Sequence, residues 1–224
     1  MLVQWFVRFV LAPLARMIYR PVVHGIQNVP ATGPVVIAAN HRAALDTAVI
    51  PFVTPRPVKF LGKAEYFEGK GLKGRFVAAF LTGLGYVPVE RGNAQAGLAA
   101  LEAGRKVLTD GGAFGIYPEG TRSLDGRLHR GHTGVAALAL ATGALVVPAA
   151  LSGTEKLQPN GKRIPRLARI TITFGRPIDF SRYEGLDASP AIRRAATDEV
   201  MYAIAELSGQ EYVDKYHKRP NEAA

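Results

Sequence analysis

The chain has 224 residues, 48% of them hydrophobic and 21% charged, and no cysteine. That composition suits one well-filled globular core, or a small domain with an appendage. It excludes a disordered, collagen-like or coiled-coil chain, a disulfide framework, a thiolate metal centre and a cysteine nucleophile. The 28 Lys and Arg against 18 Asp and Glu leave a formal charge of +10, which favours an anionic partner: nucleic acid, an acidic membrane surface or a phosphorylated substrate.

The first 23 residues are apolar but interrupted by Arg8, Arg16 and Arg20, so no uncharged run approaches the about 20 residues that a membrane span needs. A secretory signal would place its charges first; here they recur along the segment. At about 100° per residue, Val3, Phe6, Val7, Val10, Leu11, Leu14, Met17 and Ile18 share one side, and the arginines share the other with Trp5, Phe9 and Tyr19. The pattern predicts an amphipathic helix over 1–23, dented at Pro13, docked on an anionic membrane surface. The alternative is a helix packed on the protein's own core. Residues 24–224 then form a single domain.

From residue 34 onward short β-rich runs alternate with helical patterns. Strands are predicted over 35–39, 58–61, 86–89, 114–117, 145–151 and 169–174. Helices are predicted over 44–53, 72–82, 94–108 and 133–141, with a last one over 190–207 that Ser189 caps and Pro190 begins. The alternation predicts an α/β fold, a mostly parallel or mixed sheet flanked by helices. The stretch 131–154 is long and apolar enough to span a bilayer, yet Gly143 and the β-branched, proline-containing run after it predict a buried helix followed by a buried strand.

Chemistry gathers at predicted strand ends. The strand at 35–39 runs into Asn40-His41-Arg42-Ala43-Ala44-Leu45-Asp46, and the carboxyl ends of strands are where α/β sheets hold their functional groups. Positions five apart on one helix lie about 140° from each other, so His41 and Asp46 meet only if His41 precedes the helix. Asp46 would then accept the imidazole Nδ1–H and leave Nε2 to take a proton, a general-base dyad without its own nucleophile. A polar turn histidine beside a backbone-capping aspartate is the alternative that this spacing leaves open. After the strand at 114–117, Pro118 and Gly120 bend the chain and present Glu119, Thr121 and Arg122, a natural place for a phosphate or a glycerol hydroxyl. Lys63 and Arg91 sit at two further strand ends, and Lys162, Arg163, Arg166 and Arg169 extend the basic surface. His129 and His132 lack further ligands at metal spacing, so no metal is expected.

These blocks, Asn40-His41 with Asp46, Gly85 to Arg91, Tyr117-Pro118-Glu119-Gly120-Thr121-Arg122-Ser123, and Val147-Pro148, follow one another as in the glycerolipid acyltransferases. The chain resembles that family, in particular its 1-acyl-glycerol-3-phosphate acyltransferases, over residues 20 to 180. It departs in carrying Ala43 where the family often has Ser, Tyr117 for the usual Phe, and Leu128-His129-Arg130-Gly131 where a Lys or Phe-Lys beside a Gly is usual. The resemblance implies acyl transfer from acyl-CoA or acyl carrier protein to the sn-2 hydroxyl of lysophosphatidic acid, with no cofactor beyond that co-substrate. His41 and Asp46 are the implied base and its orienting partner. Lys63, Arg91 and Arg122 are implied to hold the phosphate, and Glu119, Gly120 and Thr121 to shape the acceptor site. The implied location is peripheral or monotopic, on the cytoplasmic face of the cell membrane. Alternatives are another acceptor, such as glycerol-3-phosphate, a lysophospholipid or a glycolipid, and a non-catalytic anionic-lipid-binding protein. A nucleic-acid partner is set aside, because no aromatic-interleaved basic motif or recognition helix is present.

Overall fold

A computed structural model describes residues 5–89, 94–159 and 166–217. Its strands are β1 (Val22–His24), β2 (Val35–Ala39), β3 (Val58–Lys63), β4 (Tyr86–Val89), β5 (Ala113–Ile116), β6 (Leu128–His129), β7 (Leu145–Ser152), β8 (Thr171–Phe174) and β9 (Tyr212–Val213). Seven of them form one sheet in the order β1-β8-β7-β2-β5-β3-β4, and β6 pairs with β9 apart from it. Strands β7, β2, β5, β3 and β4 run parallel; β8 is antiparallel to β7 and parallel to β1. The sheet is thus mixed and mostly parallel, and the five parallel strands send their carboxyl ends to one edge.

Strand β2 is buried throughout, as a strand covered on both faces must be. Val35, Ile37 and Ala39 enter a core with Val49, Ile50, Phe60 and Ile172, while Val36 and Ala38 enter a second core with Leu108, Phe114, Leu138 and Met201. The first core is covered by α1 (Ala12–Tyr19) and α2 (Asp46–Val53). Helix α3 (Gly71–Gly83) lies beside β4. The second core is covered by α4 (Ala94–Thr109) and α5 (Gly134–Thr142); after the short α6 (Thr154–Leu157), α7 (Pro190–Ser208) completes that layer. Ser189 caps α7 by accepting the Ile192 N–H at 3.4 Å, and Pro190 occupies its first position. Gly143, left-handed at φ 64°, stops α5 before β7 begins, so the apolar stretch 131–154 is a helix and a strand. No helix among the described residues is long and apolar enough to cross a membrane.

The departures from sequence expectation are local. The first helix ends at Tyr19, where Arg20 turns left-handed (φ 42°) ahead of Pro21, and the chain enters β1. Upstream of Pro13, Val7–Leu11 forms a π turn. Helix α1 lies beside α2 with Tyr19 against the first core, and the Arg16 Nε–H donates to the Phe52 carbonyl at 2.6 Å. Phe6, Val10, Leu14, Met17 and Ile18 remain exposed. The predicted helix at 44–53 begins at Asp46, and β5 ends one residue before Tyr117. Strands β1, β6 and β9 have two or three residues each, too few for a period-two signal.

Candidate active site

The turn after β2 is set by Asn40, which is fully buried. Its Nδ2 donates to the Leu151 carbonyl at 3.1 Å, and its Oδ1 accepts the Leu151 N–H at 2.7 Å. This two-way bond ties the end of β2 to the end of β7 and forces the chain out of the sheet, so that His41 emerges on the edge before α2 starts. Asp46 is the first residue of α2, and one of its oxygens, Oδ2, accepts the His41 Nδ1–H at 2.9 Å, the Arg42 N–H at 2.6 Å and the Ala43 N–H at 2.8 Å. The carboxylate is fully buried and the His41 side chain 16% exposed. Asp46 therefore lies at a helix N-terminus, where negative charge is favoured, and defines the tautomer of the ring it holds. Nε2 is the nitrogen left for chemistry.

The His41 ring stacks on Tyr117 with centroids 3.9 Å apart and 12° between planes, and Tyr117 stacks in turn on Phe60 at 5.6 Å. Gly115 makes room for this stack: a Cβ there would lie 2.1 Å from the Phe60 ring. The Tyr117 hydroxyl is buried with no hydrogen-bond partner among the described residues. Burial first, then Asp46 and Tyr86, hold its pKa well above the usual phenol value, so it stays a neutral donor. Because an unmade buried hydrogen bond costs about 1–3 kcal/mol, Tyr117→Phe is expected to keep the stack and stabilise the fold by about 1 kcal/mol. Denaturant unfolding of the two proteins measures this.

Glu119 was expected to help shape the acceptor site; its carboxylate lies inside the protein, bonded to backbone. It is 1% exposed; Oε1 accepts the His41 N–H at 3.3 Å and Oε2 the His129 N–H at 2.9 Å. Burial, partly offset by these bonds, raises its carboxyl to about 7. The Ser123 N–H donates to the His41 carbonyl at 2.8 Å, so the 117–123 loop grips both backbone sides of His41. Gly120, at φ 72°, is exposed at the tip of the bend, Thr121 is half-buried and Arg122 is exposed. Lys63 ends β3 on the same edge, its Nζ 2.7 Å from Glu65 Oε2. Arg91, Lys162 and Arg163 lie outside the described residues; Arg166 and Arg169 are exposed.

A profile described as Acyltransferase matches residues 20–152, more than half of the chain. The chain belongs to that acyltransferase family. A 1-acyl-sn-glycerol-3-phosphate acyltransferase of Chlamydomonas reinhardtii is 35% identical to it over 145 residues, 64% of this chain and 42% of that protein. The enzyme of that name from Bacillus subtilis is 27% identical over 190 residues, 84% of this chain and 88% of the relative. The chain spans less than half the length of the algal relative and of the chloroplast LPAT1 of Arabidopsis thaliana, 42% and 46%. The crystal structure of the 1-acyl-sn-glycerophosphate (LPA) acyltransferase PlsC from Thermotoga maritima has the same fold: TM-score 0.64, 24% identity, covering 92% of this chain and 78% of that one.

Sequence reasoning placed Asn40 in the His41 block without giving it a role and gave Arg42 and Gln210 none; Arg42 Nε stands 3.5 Å from Glu155 Oε2. Gln210 accepts an Asn40 Nδ2–H at 2.6 Å and donates to the Gly126 carbonyl at 2.7 Å, and nothing in its local sequence announces this.

Proposed function

We propose that this chain transfers a fatty acyl group from an acyl thioester, on coenzyme A or acyl carrier protein, to the sn-2 hydroxyl of 1-acyl-glycerol-3-phosphate, forming phosphatidic acid. The observation that carries the reading is the His41 ring held through Nδ1 by a buried carboxylate at 2.9 Å, on the edge where the turn after β2 meets the 117–123 loop. The names of the relatives supply the acceptor.

In this reading His41 Nε2 takes the proton of the sn-2 hydroxyl as that oxygen attacks the thioester carbonyl. Asp46 stabilises the imidazolium that forms. The tetrahedral adduct collapses, the C–S bond breaks, and the thiolate leaves with the proton returned from His41. A thioester is already activated, so no enzyme nucleophile is required, in keeping with Ala43 beside the base. Lys63, Arg91 and Arg122 bind the acceptor's phosphate, and the bend of Glu119, Gly120 and Thr121 shapes its place.

The substrate belongs to a bilayer, and the exposed Phe6, Val10, Leu14, Met17 and Ile18 support docking of the N-terminal helix in an interface. The +10 charge supports an anionic surface. Soluble thioester donors place the enzyme on the cytoplasmic face, peripheral or monotopic.

Mass spectrometry of lysophosphatidic acid incubated with acyl-CoA or acyl carrier protein thioesters, in anionic vesicles, tests this. Phosphatidic acid is the expected product. Product only with glycerol-3-phosphate, another lysophospholipid or a glycolipid would replace the acceptor. Silence with every acceptor and both donors would overturn acyl transfer and leave a lipid-binding protein.

A further inference from the structure

Residues 210–217 lie beyond the stretch that the family profile matches, and they form a strap along the loop leading from Glu119 to Arg130. Gln210 is bonded to Asn40 and Gly126; β9 pairs with β6; the Arg130 N–H reaches the Val213 carbonyl at 3.1 Å. At the end of the strap, the His217 ring comes within 4.3 Å of the His129 ring, centroid to centroid. Asp125 meets His129 as well, its two oxygens both 3.1 Å from Nε2. Asp125, His129 and His217 each bring one ligand atom to within 4.8 Å of the other two. His132, weighed with His129 from the sequence and set aside as a metal pair, stacks on Tyr216, at 4.7 Å.

We propose that Asp125, His129 and His217 bind a divalent first-row transition metal, zinc foremost, as a clasp that fastens the C-terminal strap over the 117–130 loop. Two imidazoles and one carboxylate are a donor set that suits zinc, with water in the fourth position. The contact between His129 and Asp125 has the proportions of two ligands sharing an ion. Nε2 is equidistant from both oxygens, and farther from each than the about 2.7–2.9 Å of a charge-assisted N–H···O bond. It is close to the about 3.3 Å edge of a tetrahedron with bonds of about 2.0–2.1 Å. His129 is only 6% exposed, so its Nε2 is held against Asp125 away from bulk water. The outer shell is in place: Asp125 Oδ1 accepts the Ser123 hydroxyl at 3.2 Å and the Arg127 N–H at 3.1 Å, and the Arg127 guanidinium reaches Oδ2 at 2.9 Å.

The clasp holds the site without entering its chemistry. The His129 N–H is bonded to Glu119, whose other oxygen holds the His41 N–H. A metal on His129 therefore stiffens the loop that fixes His41 and commits the strap to it.

The test uses the full, tag-free chain titrated with Co(II), whose visible bands report coordination, and with Zn(II) against a chromophoric chelator. Wild type and His24→Ala, which removes an exposed histidine elsewhere, are expected to bind one equivalent. His217→Ala and Asp125→Asn are expected to weaken binding at least about tenfold. Zinc is expected to raise the unfolding midpoint of wild type and not that of His217→Ala. Absence of saturable binding to wild type, or binding unchanged in both variants, overturns the proposal. Should circular dichroism show that His217→Ala does not fold, Asp125→Asn decides.

Discussion

His41→Ala is expected to lower kcat by about 10²–10⁴-fold, the range that a positioned general base contributes, while the KM for lysophosphatidic acid stays close to that of wild type. The ring is 16% exposed on the sheet edge, and its neighbours are held by backbone bonds that the alanine backbone retains, so the variant should fold. Asp46→Asn isolates the charge. An amide oxygen can replace Oδ2, which takes all three N–H bonds, and the amide nitrogen would replace Oδ1, which has no partner. Shape is preserved and the stabilisation of the imidazolium is lost, so a fall of the same order in kcat is expected. Steady-state kinetics with one thioester donor, alongside circular dichroism, measures both. Turnover near the wild-type rate in His41→Ala would remove His41 from the mechanism.

Glu119 is expected to make the fold less stable as pH rises through neutrality. Its carboxyl is raised from 4.5 to about 7, first by burial and against the N–H bonds from His129 and His41. Between those two values the folded chain keeps a proton that the unfolded chain has released. The associated stability is therefore fully present below about 4.5 and is lost as pH climbs through about 7. The difference corresponds to about 3 kcal/mol. Denaturant unfolding across this range should show that loss in wild type and not in Glu119→Gln, whose amide does not titrate; parallel curves would clear Glu119 as its source. The same substitution turns one acceptor of a backbone N–H into a donor facing it. It should loosen the His41 loop and lower kcat by about tenfold to a hundredfold, with less effect on KM.

The local sequence was enough for the elements whose signals are local. Val35, Ile37 and Ala39 alternate with Val36 and Ala38 as a central strand should, Gly143 divides an apolar stretch that resembles a membrane span, and Ser189-Pro190 starts the last helix. The five-residue gap between His41 and Asp46 permits contact only when the histidine stands ahead of the helix; it stands there, and Asp46 takes the Arg42 and Ala43 N–H bonds as well, so the spacing left the choice between dyad and cap open. Arg91 lies outside the described residues, so its place on that edge stays an expectation.

Other features depended on residues that are distant in sequence. Glu119 looked like a group offered to a ligand, yet it is buried, because two backbone N–H groups, 78 and 10 residues away, converge on it. Asn40 finds its partners 111 and 170 residues on, and β6 meets β9 across more than 80 residues. The sequence alone determined a mostly parallel α/β sheet with a histidine and an aspartate at its edge, since periodicity, caps and short spacings act within a few residues. Only the tertiary structure decided that Glu119 faces inward and that His129 joins Asp125 and His217. Those outcomes depend on which buried polar groups find partners across the sheet, and no local pattern encodes that.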